Sequence, residues 1–146
     1  MTTGSAPKVW PEPEIVPAGD RGLLINVAAV VAPEVNRVVR ALALAVSSRV
    51  EGLLEVIPAF TSVLVLFDPL QVDYDHIVAV VRQLWETGLE SVTLPPPRCF
   101  DIPTVYGGEY GPDLPRVARH TGLTPEEVVA LHANRPYLVY FIGFSP

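Results

Sequence analysis

A loop dense in glycine and proline, residues 106–114, carries the side chains with the most chemical potential. A segment of this composition costs backbone entropy on folding, and a shaped binding loop is the commonest reason to tolerate that cost. The alternative is a glycine-rich turn with no ligand. Asp101, Glu109 and Asp113 could do acid–base work if two of their carboxyl groups are held close together. Because Asp113 follows Pro112, we also expect it to act mainly as a helix N-cap.

Two further groups could take part in catalysis. His132 lies on a predicted short helix, where it could be a general base or an oriented hydrogen-bond donor; the alternative is a partly exposed helix residue. Ser145 follows Gly143 and Phe144 in a pattern similar to a nucleophile elbow. The proline after it fits poorly with an activated serine. Glu109, His132 and Ser145 are therefore weak catalytic candidates.

Composition excludes several classes of function. Lys8 is the only lysine and no Gly-Lys-Ser/Thr occurs, so the chain has no Walker-type ATP site. A net charge of −6 with scattered arginines disfavours nucleic acid and anionic membranes as partners. The three histidines form no metal-binding pattern, so we predict no metal site. The single cysteine, Cys99, suits a reducing cytoplasm, and we expect it to be buried in a strand.

The elements that position these residues begin with an α+β lobe over residues 14–102, after a flexible N-terminal arm, residues 1–13. Hydrophobic periodicity first predicts a short strand from residue 14, a strand over 23–27 and a helix from Pro33 to near Arg49. A hairpin of strands over 53–58 and 62–67 follows. The lobe ends with a helix that is capped by Asp73 or Asp75 and ended by Gly88, and with a strand over 98–105. This order indicates a ferredoxin-like split βαβ fold; the alternative is an irregular α+β sandwich.

The chain changes character near residue 103. One short helix is predicted from Asp113 to Gly122. A second begins at Thr124, with Glu127 completing a capping box, and ends near Asn134. Residues 137–142 then predict a strand that is apolar on both faces and therefore requires cover on both sides. We expect a second domain, residues 103–146, that is cut short in this chain.

Four segments together resemble the KipI family, whose members are the B subunit of 5-oxoprolinase or allophanate hydrolase subunit 1. They are Gly19-Asp20-Arg21, Phe60-Thr61-Ser62, the 106–114 block and Val139-Tyr140-Phe141-Ile142-Gly143-Phe144-Ser145-Pro146. The resemblance runs from Glu14 to the last residue. It implies an α+β fold in which a ferredoxin-like lobe is followed by the beginning of a cyclophilin-like β-barrel.

The resemblance also implies a function. A KipA-like protein, the C subunit of such complexes, and an A-subunit-like protein would join this chain in the ATP-dependent hydrolysis of 5-oxoproline to glutamate, or in a related allophanate- or urea-processing complex. This chain would be a non-autonomous, cytoplasmic subunit with no cofactor of its own, and ATP would be bound by or shared with its partners. The alternative is a regulatory inhibitor that binds a sensor histidine kinase. The positions carried over as loop-forming or substrate-facing are Tyr106, Gly107, Gly108, Glu109, Gly111, Pro112, Asp113, Gly143 and Phe144.

Overall fold

The computed structural model describes residues 10–143. Its elements are β1 (Glu14–Pro17), β2 (Gly22–Asn26), α1 (Pro33–Arg49), β3 (Leu53–Pro58), β4 (Ser62–Phe67), α2 (Tyr74–Thr87), a 3₁₀ turn (Gly108–Tyr110), α3 (Leu114–Thr121) and α4 (Pro125–Ala133). They fall into two compact units. The first comprises the chain up to Pro95 together with the segment from Tyr140 onward, and the second is Pro96–Val139. The predicted division at residues 102 and 103 stays a prediction.

The first unit is built on an antiparallel sheet with strand order β1-β2-β4-β3. β3 and β4 form the predicted hairpin, and β2 pairs with the other side of β4. Because β4 lies between β2 and β3, the segment β2–α1–β3 is a split βαβ unit. The α+β class predicted from the sequence is therefore confirmed.

The two strands predicted after α2 are wrong. Residues 98–105 and 137–142 have no regular secondary structure. Pro103 removes a backbone donor from the first segment, which also follows three consecutive prolines, so it pairs poorly in a ladder. The sheet edge beside β2 is taken instead by β1, which needs only a short turn to pair with β2. A cyclophilin-like barrel stays a prediction.

The core of the first unit lies between the sheet and α1 and α2. Alternate residues of β2 and β4 point into it, and the predicted three- and four-residue spacing on both helices faces them. The largest fully buried side chains are Leu23, Ile25, Leu42, Ile77, Leu84, Val39, Val46, Val63, Val65 and Val81. Gly88, with a φ of +83°, ends α2 as predicted. This interior holds the turns around it in fixed positions.

Three features outside the core bear on the sequence predictions. Residues 1–9 of the predicted flexible arm lie outside the described residues, whereas Trp10 packs against the core. Cys99 is exposed, so its predicted burial is wrong, because the strand that would have buried it does not form. Among the described residues, none of the helices combines the length and the apolar character that a membrane crossing requires.

Asn36 links α1 to the turn between β3 and β4. It is a buried polar residue, and its Nδ2 donates a hydrogen bond of 2.9 Å to the carbonyl oxygen of Ala59. In the same turn Ala59 N–H donates to the carbonyl of Ser62, and Val27 N–H on the β2 side donates to the carbonyl of Thr61. The turn is therefore held by bonds from the helix, from β4 and from the chain following β2.

Replacing Asn36 by alanine is expected to lower the free energy of unfolding by about 2 kcal/mol, because the carbonyl of Ala59 loses a partly buried donor. Asn26→Ala is the matched control. Asn26 also donates an amide hydrogen bond, to Glu14, but that bond is exposed, and its loss should cost at most about 0.5 kcal/mol. Urea unfolding followed by circular dichroism measures both. Equal losses in the two variants would contradict the role given to Asn36.

Candidate functional site

The 106–114 loop folds back on itself through its glycines. Gly107 and Gly108 have φ values of +78° and +56°, a region that glycine enters without steric cost. Gly111 N–H donates to the carbonyl of Gly107 at 3.0 Å, and Leu114 N–H donates to the carbonyl of Gly111 at 3.1 Å. A Cβ at Gly111 would lie 2.6 Å from the backbone nitrogen of Gly107. The close approach of these two backbones therefore requires glycine at position 111.

Asp113 occupies the N-cap position of α3, but its side chain makes no capping hydrogen bond. Its backbone is in the right-handed helical region, with φ −81° and ψ −12°, whereas side-chain capping usually requires an extended backbone. Its carbonyl accepts from the N–H groups of Arg116 and Val117 instead. Asp113 is therefore the N-cap residue of α3 as predicted, but its backbone carbonyl and not its side chain makes the bonds at this position.

The start of α4 agrees with the sequence prediction in detail. Glu127 N–H donates to Thr124 Oγ1 at 3.2 Å, and Thr124 N–H donates to Glu127 Oε2 at 2.7 Å. Both bonds of the capping box are thus present, with Pro125 at the first helical position. Because this start fixes where α4 begins, it also fixes the last turn of the helix, which carries His132.

Replacing Thr124 by alanine is expected to destabilise α4 by about 1 kcal/mol, because two backbone donors at its start lose their reciprocal arrangement. The control is Thr121→Ala, since the Thr121 hydroxyl donates only back to carbonyls of α3, those of Val117 and Ala118. Hydrogen exchange of the α4 amides should accelerate about fivefold in the first variant. An equal acceleration in the control would contradict the prediction.

The loop is tied to the last turn of α4 by Tyr106 and His132. The Tyr106 hydroxyl lies 2.5 Å from His132 Nδ1, and the two rings meet edge to face with centroids 5.7 Å apart. From the other side, the Tyr137 hydroxyl donates to the carbonyl of His132 at 3.0 Å. The Arg135 guanidinium lies 4.8 Å from the centroid of the Tyr137 ring. The imidazole therefore bonds to the Tyr106 hydroxyl, and its ring centroid lies 5.5 Å from that of the Tyr137 ring.

This arrangement has a direct chemical consequence. With Nδ1 bonded to Tyr106, Nε2 is the ring nitrogen left for a ligand. If the phenol donates its proton to Nδ1, Nε2 carries a proton and is a donor; if the phenol accepts from Nδ1, Nε2 is a base. In either state the bond to Tyr106 restricts rotation of the ring. His132 can thus present an oriented donor or acceptor to a small molecule.

A shallow cavity of about 440 Å³ lies against Tyr106 in the second unit. Leu114 and Val129 give it an apolar lining, and Glu126 and Asn134 add polar groups. The volume falls in the range of small-molecule sites, which are largely apolar with a few polar groups that fix orientation. Because Tyr106 both lines this cavity and bonds to His132, the two features form one candidate site.

The other predicted site residues are placed as follows. Glu109 is exposed on the 3₁₀ turn, and no hydrogen bond or ion pair within residues 10–143 involves its carboxylate. Pro112 is exposed, and Asp113 lines a separate shallow cavity beside Arg116, Arg119 and His120. Gly143, with a φ of +129°, belongs to the first compact unit. Phe144 and Ser145 lie outside the described residues.

Two contributions to the site were missed from the sequence. Tyr137, which bonds to the carbonyl of His132, was assigned to a strand, although it follows the helix end at Asn134 too closely to be independent of it. The small residues of α4 that line the cavity, Ala130 and Ala133, repeat at a three-residue spacing that could have indicated a groove. The part of the chain described holds no group of three or more His, Cys, Asp and Glu side chains placed to bind a metal.

Known proteins resemble this chain over 65% to 91% of its length. The B subunit of 5-oxoprolinase from Bacillus subtilis (strain 168) is 35% identical over 144 residues, which cover 91% of this chain and 60% of the relative. The protein of the same name in Escherichia coli O157:H7 is 42% identical over 97 residues, covering 65% of this chain and 43% of the relative. The crystal structure of TTHA0988 is 34% identical, with a TM-score of 0.70, and the match covers 86% of this chain and 24% of that one.

The chain spans about 60% of the length of the first of these relatives. Residues 13–146 match the family model described as carboxyltransferase domain, subdomain C and D, so the match includes the loop, α3 and α4. The resemblance to the B subunit of 5-oxoprolinase stated from the sequence motifs is thereby confirmed. The chain belongs to the carboxyltransferase domain family, subdomains C and D.

Proposed function

We propose that this chain is a non-autonomous subunit of a 5-oxoprolinase-type hydrolase and that it shapes part of the site where the lactam of 5-oxoproline is opened to give glutamate. The observation that carries the proposal is the Tyr106–His132 pair beside a small-molecule-sized cavity. Two relatives named as the B subunit of 5-oxoprolinase support the choice of substrate. Allophanate is the alternative substrate of the same class.

Opening a lactam has two requirements that a positioned imidazole can meet. Water must lose a proton as it adds to the amide carbonyl, and the ring nitrogen must gain a proton as it leaves. We assign His132 Nε2 to hold or deliver one of these protons, with Tyr106 orienting the ring through Nδ1. ATP supplies the activation of the amide. Glu109 and Ser145 remain weaker candidates. Residues 106–113 are proposed to face the substrate, and Gly143 and Phe144 are proposed as substrate-facing positions on the sequence resemblance alone.

The partners in this proposal are a KipA-like protein, as the C subunit, and an A-subunit-like protein, both in the cytoplasm. ATP is assigned to these partners, because this sequence has no Gly-Lys-Ser/Thr. A net charge of −6 with scattered arginines favours protein partners over nucleic acid or anionic membranes. These partners would also supply the catalytic groups that the described site lacks.

The proposal extends to the fold of the second half. We propose that residues 103–146 belong to a cyclophilin-like barrel. Large apolar side chains are exposed in the irregular segments of residues 98–105 and 137–142, including Ile102 at 81% and Val139 at 71%. Exposed apolar groups at this density are typical of surfaces that another segment covers. Paired strands in a longer protein of the family would support this assignment, and solvated loops would oppose it.

The test is a hydrolysis assay on the assembled complex. This chain is co-expressed with its KipA-like and A-subunit-like partners, and ATP-dependent conversion of 5-oxoproline to glutamate is measured, with allophanate as a second substrate. We expect turnover of 5-oxoproline that is lost when this chain is omitted. Undiminished turnover by the complex without this chain would refute the proposal.

The alternative function, inhibition of a sensor histidine kinase, gains no support from the relatives reported above. It predicts binding to a kinase dimerisation domain at micromolar concentration. A pull-down with such domains separates the two functions: binding together with a failed hydrolysis assay would favour the inhibitor. No binding together with measurable hydrolysis would favour the hydrolase.

A further inference from the structure

An aromatic cluster joins the turn between β3 and β4 to the segment of residues 140–143. Phe60, at the tip of the turn, lies 4.9 Å from the Phe141 ring in an edge-to-face arrangement and 5.2 Å from the Tyr140 ring. Both distances fall within the favourable range for aromatic pairs. Tyr140 and Phe141 are half-buried, whereas the next side chain, Ile142, is 89% exposed. The segment is therefore held at these two rings.

The turn that carries Phe60 is held more firmly than an ordinary surface turn. Asn36 bonds to the carbonyl just before Phe60, and Val27 bonds to the carbonyl just after it. A side chain on a turn fixed in this way keeps its position without a further ordering cost when it packs. The hydrogen bonds from α1 and from the chain after β2 thus hold Phe60 in a fixed position.

The residues on either side of Tyr140 and Phe141 need an anchor of this kind. Gly143 has a φ of +129° and no side chain, so its backbone can adopt conformations that other residues rarely visit. Immediately before the cluster, Leu138 and Val139 are 61% and 71% exposed. Without an anchor, ordering this stretch would cost conformational entropy at each residue. The two ring contacts limit that freedom.

We propose that Phe60 is a positioning residue that anchors residues 140–143 and so sets where Gly143 lies. This inference rests on the proposed function, in which Gly143 faces the substrate. Phe60 acts only through Tyr140 and Phe141 and has no role in the chemical step. If Phe60 only covers apolar surface and does not position the segment, its replacement should leave substrate turnover unchanged.

The first test measures release of the segment directly. Chymotrypsin cleavage after Tyr140 and Phe141 is mapped by mass spectrometry in the full chain and normalised to cleavage after Phe100, which is 69% exposed. Phe60→Ala should raise the normalised rate about tenfold, the ratio expected from losing two ring pairs. Phe60→Tyr keeps the ring and should restore the original rate. Leu54→Ala removes another exposed apolar side chain of the same sheet and should change nothing.

The second test uses the assembled complex and separates this proposal from the function on which it rests. Phe60→Ala should lower kcat/KM about tenfold, and Phe60→Tyr should restore it. A normalised cleavage rate that is unchanged in Phe60→Ala, or equally raised in Leu54→Ala, would overturn the anchor. Faster cleavage combined with no hydrolysis by the complex containing the unaltered chain would support the anchor and refute the proposed function. Faster cleavage with unchanged kcat/KM would overturn the positional role.

Discussion

Replacing His132 by alanine is expected to lower kcat/KM for ATP-dependent 5-oxoproline hydrolysis by the assembled complex about 10²-fold. A positioned proton-transfer group typically contributes this much or more to a reaction. The imidazole is held for such a role, since Tyr106 engages Nδ1 and Tyr137 bonds to the backbone carbonyl of the same residue. The measurement is steady-state glutamate production at several 5-oxoproline concentrations.

Two further variants sharpen this experiment. His120→Ala is the matched control, because His120 is an exposed histidine on α3 that lines a different cavity, and its loss should change kcat/KM by less than about twofold. Tyr106→Phe keeps the ring but removes the hydroxyl that orients the imidazole, so an intermediate loss of about tenfold is expected. A His132→Ala complex with the turnover of the unaltered complex would remove His132 from the mechanism.

Local signals in the sequence were sufficient for the elements that later position the site. The capping box at Thr124 and Glu127 depends on residues three apart, and both its bonds are present. The apolar stripe of α1 through Val39, Leu42 and Val46 depends on helical periodicity, and these residues are fully buried. Such features are encoded within a few residues, so single-sequence reasoning recovers them.

Features that need a distant partner were not recoverable in the same way. The strands predicted over 98–105 and 137–142 have the composition of strands, but a strand forms only where another strand accepts its hydrogen bonds. β1 pairs with the free edge of β2 because the two strands are adjacent in sequence. Composition alone therefore identified apolar segments correctly and misassigned their pairing.

The candidate site shows the same limit. The sequence identified the 106–114 loop by its glycines and His132 by its chemistry, but it gave no reason to join them, since Tyr106 and His132 are 26 residues apart. Their contact depends on the turn between α3 and α4, which brings the end of α4 to the start of the loop. The anchor at Phe60 likewise joins residues about 80 positions apart through tertiary packing.

Because the 106–114 loop contacts α4, a change in the loop should alter both its stability and the position of the His132 ring. Replacing Gly111 by alanine is expected to destabilise the loop by about 3 kcal/mol, because the added Cβ would lie 2.6 Å from the Gly107 nitrogen and 3.2 Å from its Cα. These are backbone atoms, so no side-chain rotation relieves the clash. The loop must open, and the bond from Gly111 N–H to the carbonyl of Gly107 is lost.

Gly19→Ala separates this clash from ordinary glycine strain. Gly19, in the turn between β1 and β2, has a φ of +72° but open space around its missing Cβ, so alanine there should cost only about 1 kcal/mol. The nitrogen chemical shifts of the His132 ring report whether Tyr106 still bonds to Nδ1: they should change in Gly111→Ala and stay fixed in Gly19→Ala. Unchanged shifts in both variants would mean that Tyr106 meets His132 without the folded loop. The glycines would then serve the turn alone and not the site.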